Sequence, residues 1–309
     1  MSTSAPPISD WLILLNPLAG GRKALLRWDQ LQRSLTDAGI SFDMVWTEGP
    51  GDAATLALEG IAQGYRQLMG VGGDGTVHEI LQAIMTQTVV PSQEITFTVF
   101  PIGTGNDWAR MYGISDRLVA LRKRLQEGKP QLQDVGHIRF SDGSQRFFAN
   151  VLGACYDAYV VEKTQGQDRS GWKGTVLYLR QLVKGLWAYQ APEIHLKGEG
   201  FERKGPAILV NAGICQYSGG GMRLVPEAIP DDGLLDITFV DSLGPWEVIR
   251  NLPKLYNGKL YAHPQAEHAR SPWLEISSQP NSQIEADGEL LGQLPARIEL
   301  IPNALRVLP

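Results

Sequence analysis

Val71-Gly72-Gly73-Asp74-Gly75-Thr76, followed by Glu79, decides how this chain of 309 residues is read. Arg66 to Val71 is an apolar lead-in with the character of a short buried strand, and His78 to Ile84 carries apolar residues at helical spacing. The glycines therefore sit at a strand-to-helix junction. A backbone without Cβ takes left-handed dihedrals there and lets a phosphate approach closely. The free amides of the helix start point at that phosphate, and the helix dipole favours its negative charge. Asp74 and Thr76 add a carboxylate and a hydroxyl where a nucleotide-bound Mg²⁺ would lie. A tight turn that merely needs glycine is the plainer reading of GGxG alone. Asp, Thr and Glu at these offsets weigh against it.

Two flanking segments repeat the design. Leu12 to Leu15 is an apolar run ending in Asn16-Pro17-Leu18-Ala19-Gly20-Gly21, before a helical pattern that begins near Arg22. Thr96 to Phe100 is a strand-like run ending in Pro101-Ile102-Gly103-Thr104-Gly105-Asn106-Asp107, again before a helical stretch. In a parallel sheet all three loops lie at the carboxyl edge, where ligands of open α/β folds bind. Taken singly, the outer two are a β-turn and a helix cap. Their order around the glycine loop makes the set specific.

NPxxG, then GGDGTxxE, then PxGTxND, in this order, resembles the diacylglycerol-kinase catalytic-domain family, which includes bacterial diacylglycerol and phosphatidylglycerol kinases, sphingosine kinases and ceramide kinases. The likeness runs through most of the chain, to Asp287-Gly288-Glu289. It implies transfer of the γ-phosphate of ATP to the hydroxyl of a lipid such as diacylglycerol, phosphatidylglycerol or a sphingoid base, with Mg²⁺ as cofactor. On the nucleotide side it implies Asn16, Pro17, Leu18, Ala19, Gly20, Thr47, Gly72, Gly73, Asp74, Gly75, Thr76, Val77, His78, Glu79, Thr104, Asn106 and Asp107. His78 stands where the family more often has Asn, and Cys155 where a glycine is usual.

The length supports two domains with real cores, and 43% hydrophobic residues suit a globular protein. A net charge of -5 gives no electrostatic reason to expect nucleic acid as a partner. No run approaches the roughly eighteen apolar residues of a membrane span. Met1 to Asp10 has no basic or apolar region of a signal peptide and reads as a disordered leader. Cys155 and Cys215 lie in apolar surroundings and read as buried free thiols of a cytoplasmic protein.

From Trp11 to Leu132 strands alternate with helical segments, the mark of a parallel sheet with helices on its faces. Leu118 to Leu125 is one such helix, with Arg122, Lys123 and Arg124 assigned to its solvated side. After Lys129-Pro130 the texture becomes a series of short strands joined by Gly-, Pro- and Asp-rich turns, beginning with a hairpin around Ser141 to Ser144. The expected fold class is thus an open parallel α/β nucleotide domain over residues 11–133, followed by an antiparallel β-sandwich over residues 134–309. The family fold agrees and puts the active site in the cleft between the two.

The second half offers the rest of the chemistry. Asp287-Gly288-Glu289 holds two carboxylates close together after the strand-like Gln283-Ile284-Glu285. The resemblance implies that this turn bears the proton acceptor, without deciding between Asp287 and Glu289; Asp74 is the other acid at hand. Asp-Gly is also the commonest hairpin turn, which is the plainer reading. Asp231-Asp232-Gly233-Leu234-Leu235-Asp236 clusters acids beside a turn that suits a hard cation. By resemblance to bacterial relatives, a structural Mg²⁺ would take Asp232 and the carbonyls of Ile229 and Leu234, with Asp134 in the same polar network. A capped turn before a strand is the alternative there.

Lys163 to Tyr189 combines basic residues and tryptophans with an apolar stripe over Thr175 to Tyr189. Such a helix either packs its stripe on the sandwich or lies in a membrane interface. Transient peripheral membrane contact and a homodimer are compatible with the family. No histidine has a partner at metal-ligand spacing, and no GxSxG elbow supports hydrolysis. Two readings stay beside the lipid kinase: an NAD kinase-like enzyme, whose family shares GGDGT, and a catalytically silent lipid-binding or regulatory protein on the same fold.

Overall fold

A computed structural model describes residues 9–164, 180 and 183–309. The chain divides into two compact units, Met1–Gln133 with Asn303–Pro309, and Asp134–Pro302. Most of the expected leader and of the basic amphipathic segment lies outside the described residues.

The first unit alternates strand and helix: β1 (Trp11–Leu15), α1 (Ala19–Asp37), β2 (Phe42–Trp46), α2 (Asp52–Gln63), β3 (Gln67–Gly72), α3 (Asp74–Thr86), β4 (Thr96–Pro101), α4 (Asp107–Met111) and α5 (Leu118–Glu127). β1 pairs in parallel with β2 and β3, and β3 pairs in parallel with β4. A parallel sheet is covered on both faces, which is why β1 is a continuous apolar run and β4, with Thr96 and Thr98 among its apolar residues, is buried throughout. Trp11, Ile13 and Leu15 pack with Trp28, Leu31 and Leu35 of α1 on one side. Leu12 points the other way, onto Gly60 of α2. The start of α1 is not regular helix: Gly20, Gly21 and Arg22 hold φ of 60°, 70° and 70°.

Arg124 departs from the amphipathic reading of α5. It is buried and donates Nη2 to the Val99 carbonyl at 2.8 Å, and burial pulls its guanidinium down to about 10. The helix turns this residue inward because the carbonyl at the sheet offers it a partner.

The second unit holds β5 (Gln131–Phe140), β6 (Gln145–Phe148), β7 (Val151–Cys155), α6 (Tyr156–Thr164), β8 (Glu193–Gly198), β9 (Phe201–Gly213), β10 (Tyr217–Ser218), β11 (Met222–Arg223), β12 (Leu235–Asp241), α7 (Pro245–Tyr256), β13 (Ala266–Ser271), β14 (Trp273–Gln279), β15 (Gln283–Ala286), β16 (Glu289–Gln293) and β17 (Ala296–Val307). β9 serves two antiparallel sheets. Its residues from Phe201 to Pro206 pair with β8, and those from Leu209 to Gly213 pair with β7 and β12. Ile194, Leu196, Leu274 and Ile298 from one sheet meet Leu152, Val210, Ile237 and Ile284 from the other in one core. That is a sandwich. The sequence assigns everything after residue 133 to this unit, yet β17 runs on and pairs in parallel with β4 through Arg306↔Thr96 and Val307↔Phe97. Residues 303–309 thereby belong to the first unit.

Candidate active site

In the first unit the three glycine loops follow β1, β3 and β4, so the parallel order brings them to one edge. They touch backbone to backbone. A Cβ on Gly103 would lie 2.7 Å from Gly73 Cα and 2.6 Å from Asn106 Oδ1, and one on Gly20 would lie 2.3 Å from the Ile102 carbonyl oxygen. Asn106, at φ 52°, closes the third loop by accepting from Gly103 N at 2.9 Å and donating to Gly103 O at 2.9 Å. Asn16 accepts from Leu18 N at 3.0 Å and shapes the first. Asp74 accepts from Trp108 N at 3.3 Å, and its Oδ2 faces Gly105 beside Asp107, tying the second loop to the third. Lys23, Arg27 and Arg110 line the hollow around Gly103, Thr104 and Asn106. Sequence reasoning missed these cations, since α1 and α4 carry them to the loop only once the helices are placed. Arg27 pairs with Asp116, which lines the same hollow, and Arg110 with Asp107, so the cations suit an anion in kind while carrying acidic partners of their own.

Several motif residues turn out to build the loops. Glu79 accepts from Gly51 N at 2.9 Å with one oxygen and from Ala53 N at 3.0 Å with the other, capping α2. Thr76 sets its hydroxyl against Gly72, where a Cβ would be 2.2 Å away. Val77 and His78 are buried side chains of α3, and Thr47 is buried after β2.

In the second unit Asp287 and Gly288 form a two-residue hairpin between β15 and β16, both in the left-handed region at φ 56° and 85°. The hairpin reading is therefore correct in itself, and it sorts the two acids. Asp287 accepts from Ala149 N at 3.1 Å and from Asn150 N at 3.0 Å, one bond to each carboxylate oxygen. Glu289 begins β16 and is exposed. Beneath the turn lies a buried carboxyl pair that the sequence did not signal, Glu285 and Asp157. Burial pushes both upward, Glu285 well above its ordinary value; on Glu285 the negative charge of Asp157 adds to it.

Asp157 also lines an apolar pocket with Val160, Ile208, Val240, Val248 and Leu252, roofed by α7. Around the other acidic turn, Asp134 accepts from Gly233 N at 2.7 Å and donates its amide to the Pro230 carbonyl at 2.8 Å, so it does join that loop. Asp232 accepts from Leu234 N at 3.1 Å and pairs with Arg270, which also donates Nε to Asp236 at 3.2 Å. A carboxylate beside main-chain carbonyls fits a hard cation in kind. Here such a cation would share Asp232 with a guanidinium.

Cys155 ends β7 at φ 69°, which accounts for the glycine usual at that position. Cys155 and Cys215 are buried and unbridged, and burial pushes the Cys155 thiol up to about 12. Among the described residues no helix is long and apolar enough to cross a membrane.

The sequence model of the diacylglycerol kinase catalytic domain matches residues 10–138, and that of the YegS C-terminal NAD kinase beta sandwich-like domain matches residues 150–309. The chain belongs to the diacylglycerol kinase-type, YegS-like lipid kinase family. Among relatives of this family, a protein of Pseudomonas savastanoi pv. phaseolicola named "Probable lipid kinase YegS-like" is 30% identical over 87% of this chain and 84% of its own length. A diacylglycerol kinase of Mycobacterium tuberculosis is 28% identical over 96% of this chain and 93% of its own. A crystal structure of a diacylglycerol kinase from Bacillus anthracis strain Sterne superposes with a TM-score of 0.72, covering 97% of this chain and 96% of that one at 21% identity. That likeness establishes the fold.

Proposed function

We propose that this chain transfers the γ-phosphate of ATP to a lipid hydroxyl. The observation that carries the proposal is the meeting of three glycine loops with Lys23, Arg27 and Arg110 at one sheet edge. Glycine backbone and cations there suit the phosphates of ATP, and Mg²⁺ on the nucleotide would neutralise their charge. Asp74 is the carboxylate at these loops that would hold it. A second Mg²⁺ on Asp232 and the carbonyls of Ile229 and Leu234 would brace the loop before β12.

Glu289 is the acceptor of the hydroxyl proton. Asp287 already accepts two backbone amides, which leaves the exposed carboxylate of Glu289 the better base. The apolar pocket under α7 supports a lipid as the acceptor, because acyl chains need a water-free lining. Trp187 and Trp246, 53% and 71% exposed and packed edge to face at 5.6 Å, support transient contact with a membrane surface.

The test separates base from scaffold and lipid from NAD. Glu289→Gln should lower kcat by about 10² to 10⁴ while ATP affinity stays within a few-fold of wild type. Near-normal kcat in this isostere removes Glu289 from the chemistry. Phosphate appearing on NAD in place of lipid removes the lipid-kinase reading.

A further inference from the structure

Gly153 occupies an unusual place in the sheet of the second unit. In register it lies between Glu285 of β15 and Asn211 of β9, so one row across three strands reads Glu285–Gly153–Asn211. The missing side chain opens a gap between two polar residues. A Cβ on Gly153 would lie 2.5 Å from Glu285 Oε1, 2.6 Å from Asp157 Oδ2 and 3.1 Å from Asn211 Nδ2. Asp157 enters the gap from α6, and Asn211 donates Nδ2 to its Oδ2 at 3.0 Å. Glu285 directs its other oxygen, Oε2, to the Gly288 amide at 3.0 Å, at the heart of the Asp287–Gly288 turn.

Two buried carboxyls converging on one gap do not both ionise, since each anion raises the cost of the other. The charges that act on Glu285 are all acidic: Asp157 from α6, Asp287 in the turn and Glu289 on β16. Asn211 and the Gly288 amide can stabilise one negative charge between them.

We infer that Glu285 and Asp157 hold a single proton between them in the gap over Gly153, and that this pair positions Glu289 through the Gly288 amide. Glu285 is a positioning residue in this scheme: it touches the turn and leaves the reacting atoms to Glu289. The proposal rests on the lipid-kinase reading only for its activity arm.

Three measurements test it on the full chain. A proton held by the folded pair is absent from the unfolded chain above the ordinary carboxylate range. Tm should therefore fall as pH rises from about 5 towards 9. Glu285→Gln and Asp157→Asn should each confine that fall to a narrower and lower pH range, because either removes the neighbouring carboxylate and leaves burial alone to hold the proton. Curves parallel to wild type in both isosteres would overturn the shared proton. Hydrogen exchange at the Gly288 amide should be slow in wild type and Glu285→Gln. In Glu285→Met, which fills the volume but offers no acceptor, it should be at least about 10-fold faster. Unchanged protection in that variant would overturn the anchoring. With a lipid that wild type phosphorylates, Glu285→Met should lower kcat about 10-fold at near-constant KM for ATP, and Glu285→Gln should restore it. Equal kcat in Glu285→Met and wild type contradicts the positioning role. A wild type that phosphorylates no lipid overturns the lipid-kinase reading instead, and the first two measurements still decide the pair.

Discussion

At Glu79 both carboxylate oxygens reach backbone amides, those of Gly51 and Ala53, so a residue of the phosphate motif caps the helix beside it. Charged caps of this kind contribute about 1 to 2 kcal/mol. Glu79→Ala should lose that much in urea unfolding, with nucleotide affinity falling only as far as the loop loosens. Full stability with abolished ATP binding would return Glu79 to the nucleotide. Asp287 is the parallel case. Its motif suggests chemistry, while its two amide bonds hold the hairpin onto the Ala149–Asn150 link between β6 and β7, so Asp287→Asn should lower Tm more than Glu289→Gln does. The motifs single out these positions and leave their jobs open, because a carboxylate accepts a backbone amide as readily as a proton. Arg124 shows the opposite failure. A charge on a helix reads as solvated, and only the Val99 carbonyl explains its burial.

The elements that were legible are those with a local signature. β1 is an unbroken apolar run, β4 is a β-branched and aromatic run, and the three loops after β1, β3 and β4 carry glycines in fixed order. β13 was not legible: Ala266–Ser271 is a half-exposed polar edge strand held by pairing with β12. The end of β17 was missed for a related reason, since its partner β4 lies some two hundred residues earlier in the chain. The buried Glu285–Gly153–Asn211 row likewise exists only once three strands are in register. The loop contacts themselves make a sharp prediction. Gly103→Ala places a methyl 2.7 Å from Gly73 Cα, backbone against backbone, so the second and third loops must separate. ATP affinity should fall at least about 10-fold by calorimetry, equivalent to about 1.4 kcal/mol. Unaltered affinity would show that nucleotide binding does not depend on this contact.

For the whole molecule, the chain belongs to a lipid kinase family, with the three glycine loops in its first unit and the acidic turn in its second. The acidic loop before β12, the proposed cation site, carries a competing cation of its own. Arg270 bridges Asp232 and Asp236, so a guanidinium competes with any cation on Asp232. Arg270→Gln should make Tm more sensitive to Mg²⁺ than in wild type, a saturating ligand contributing about 2.7 kcal/mol at 100 times its Kd. Asp232→Ala should abolish the response, and a wild-type Mg²⁺ shift persisting in Asp232→Ala would place the ion elsewhere.

The central claim is phosphoryl transfer from ATP to a lipid hydroxyl, and its most direct test follows the label. Purified protein, Mg²⁺ and ATP labelled at the γ-phosphate are incubated with a panel of extracted lipids, and the organic phase is counted. The account predicts label in at least one phosphorylated lipid. It predicts loss of that label in Asp74→Ala and in Glu289→Gln, with both variants folded. Label confined to the aqueous phase for every lipid, or undiminished transfer by both variants, would contradict it.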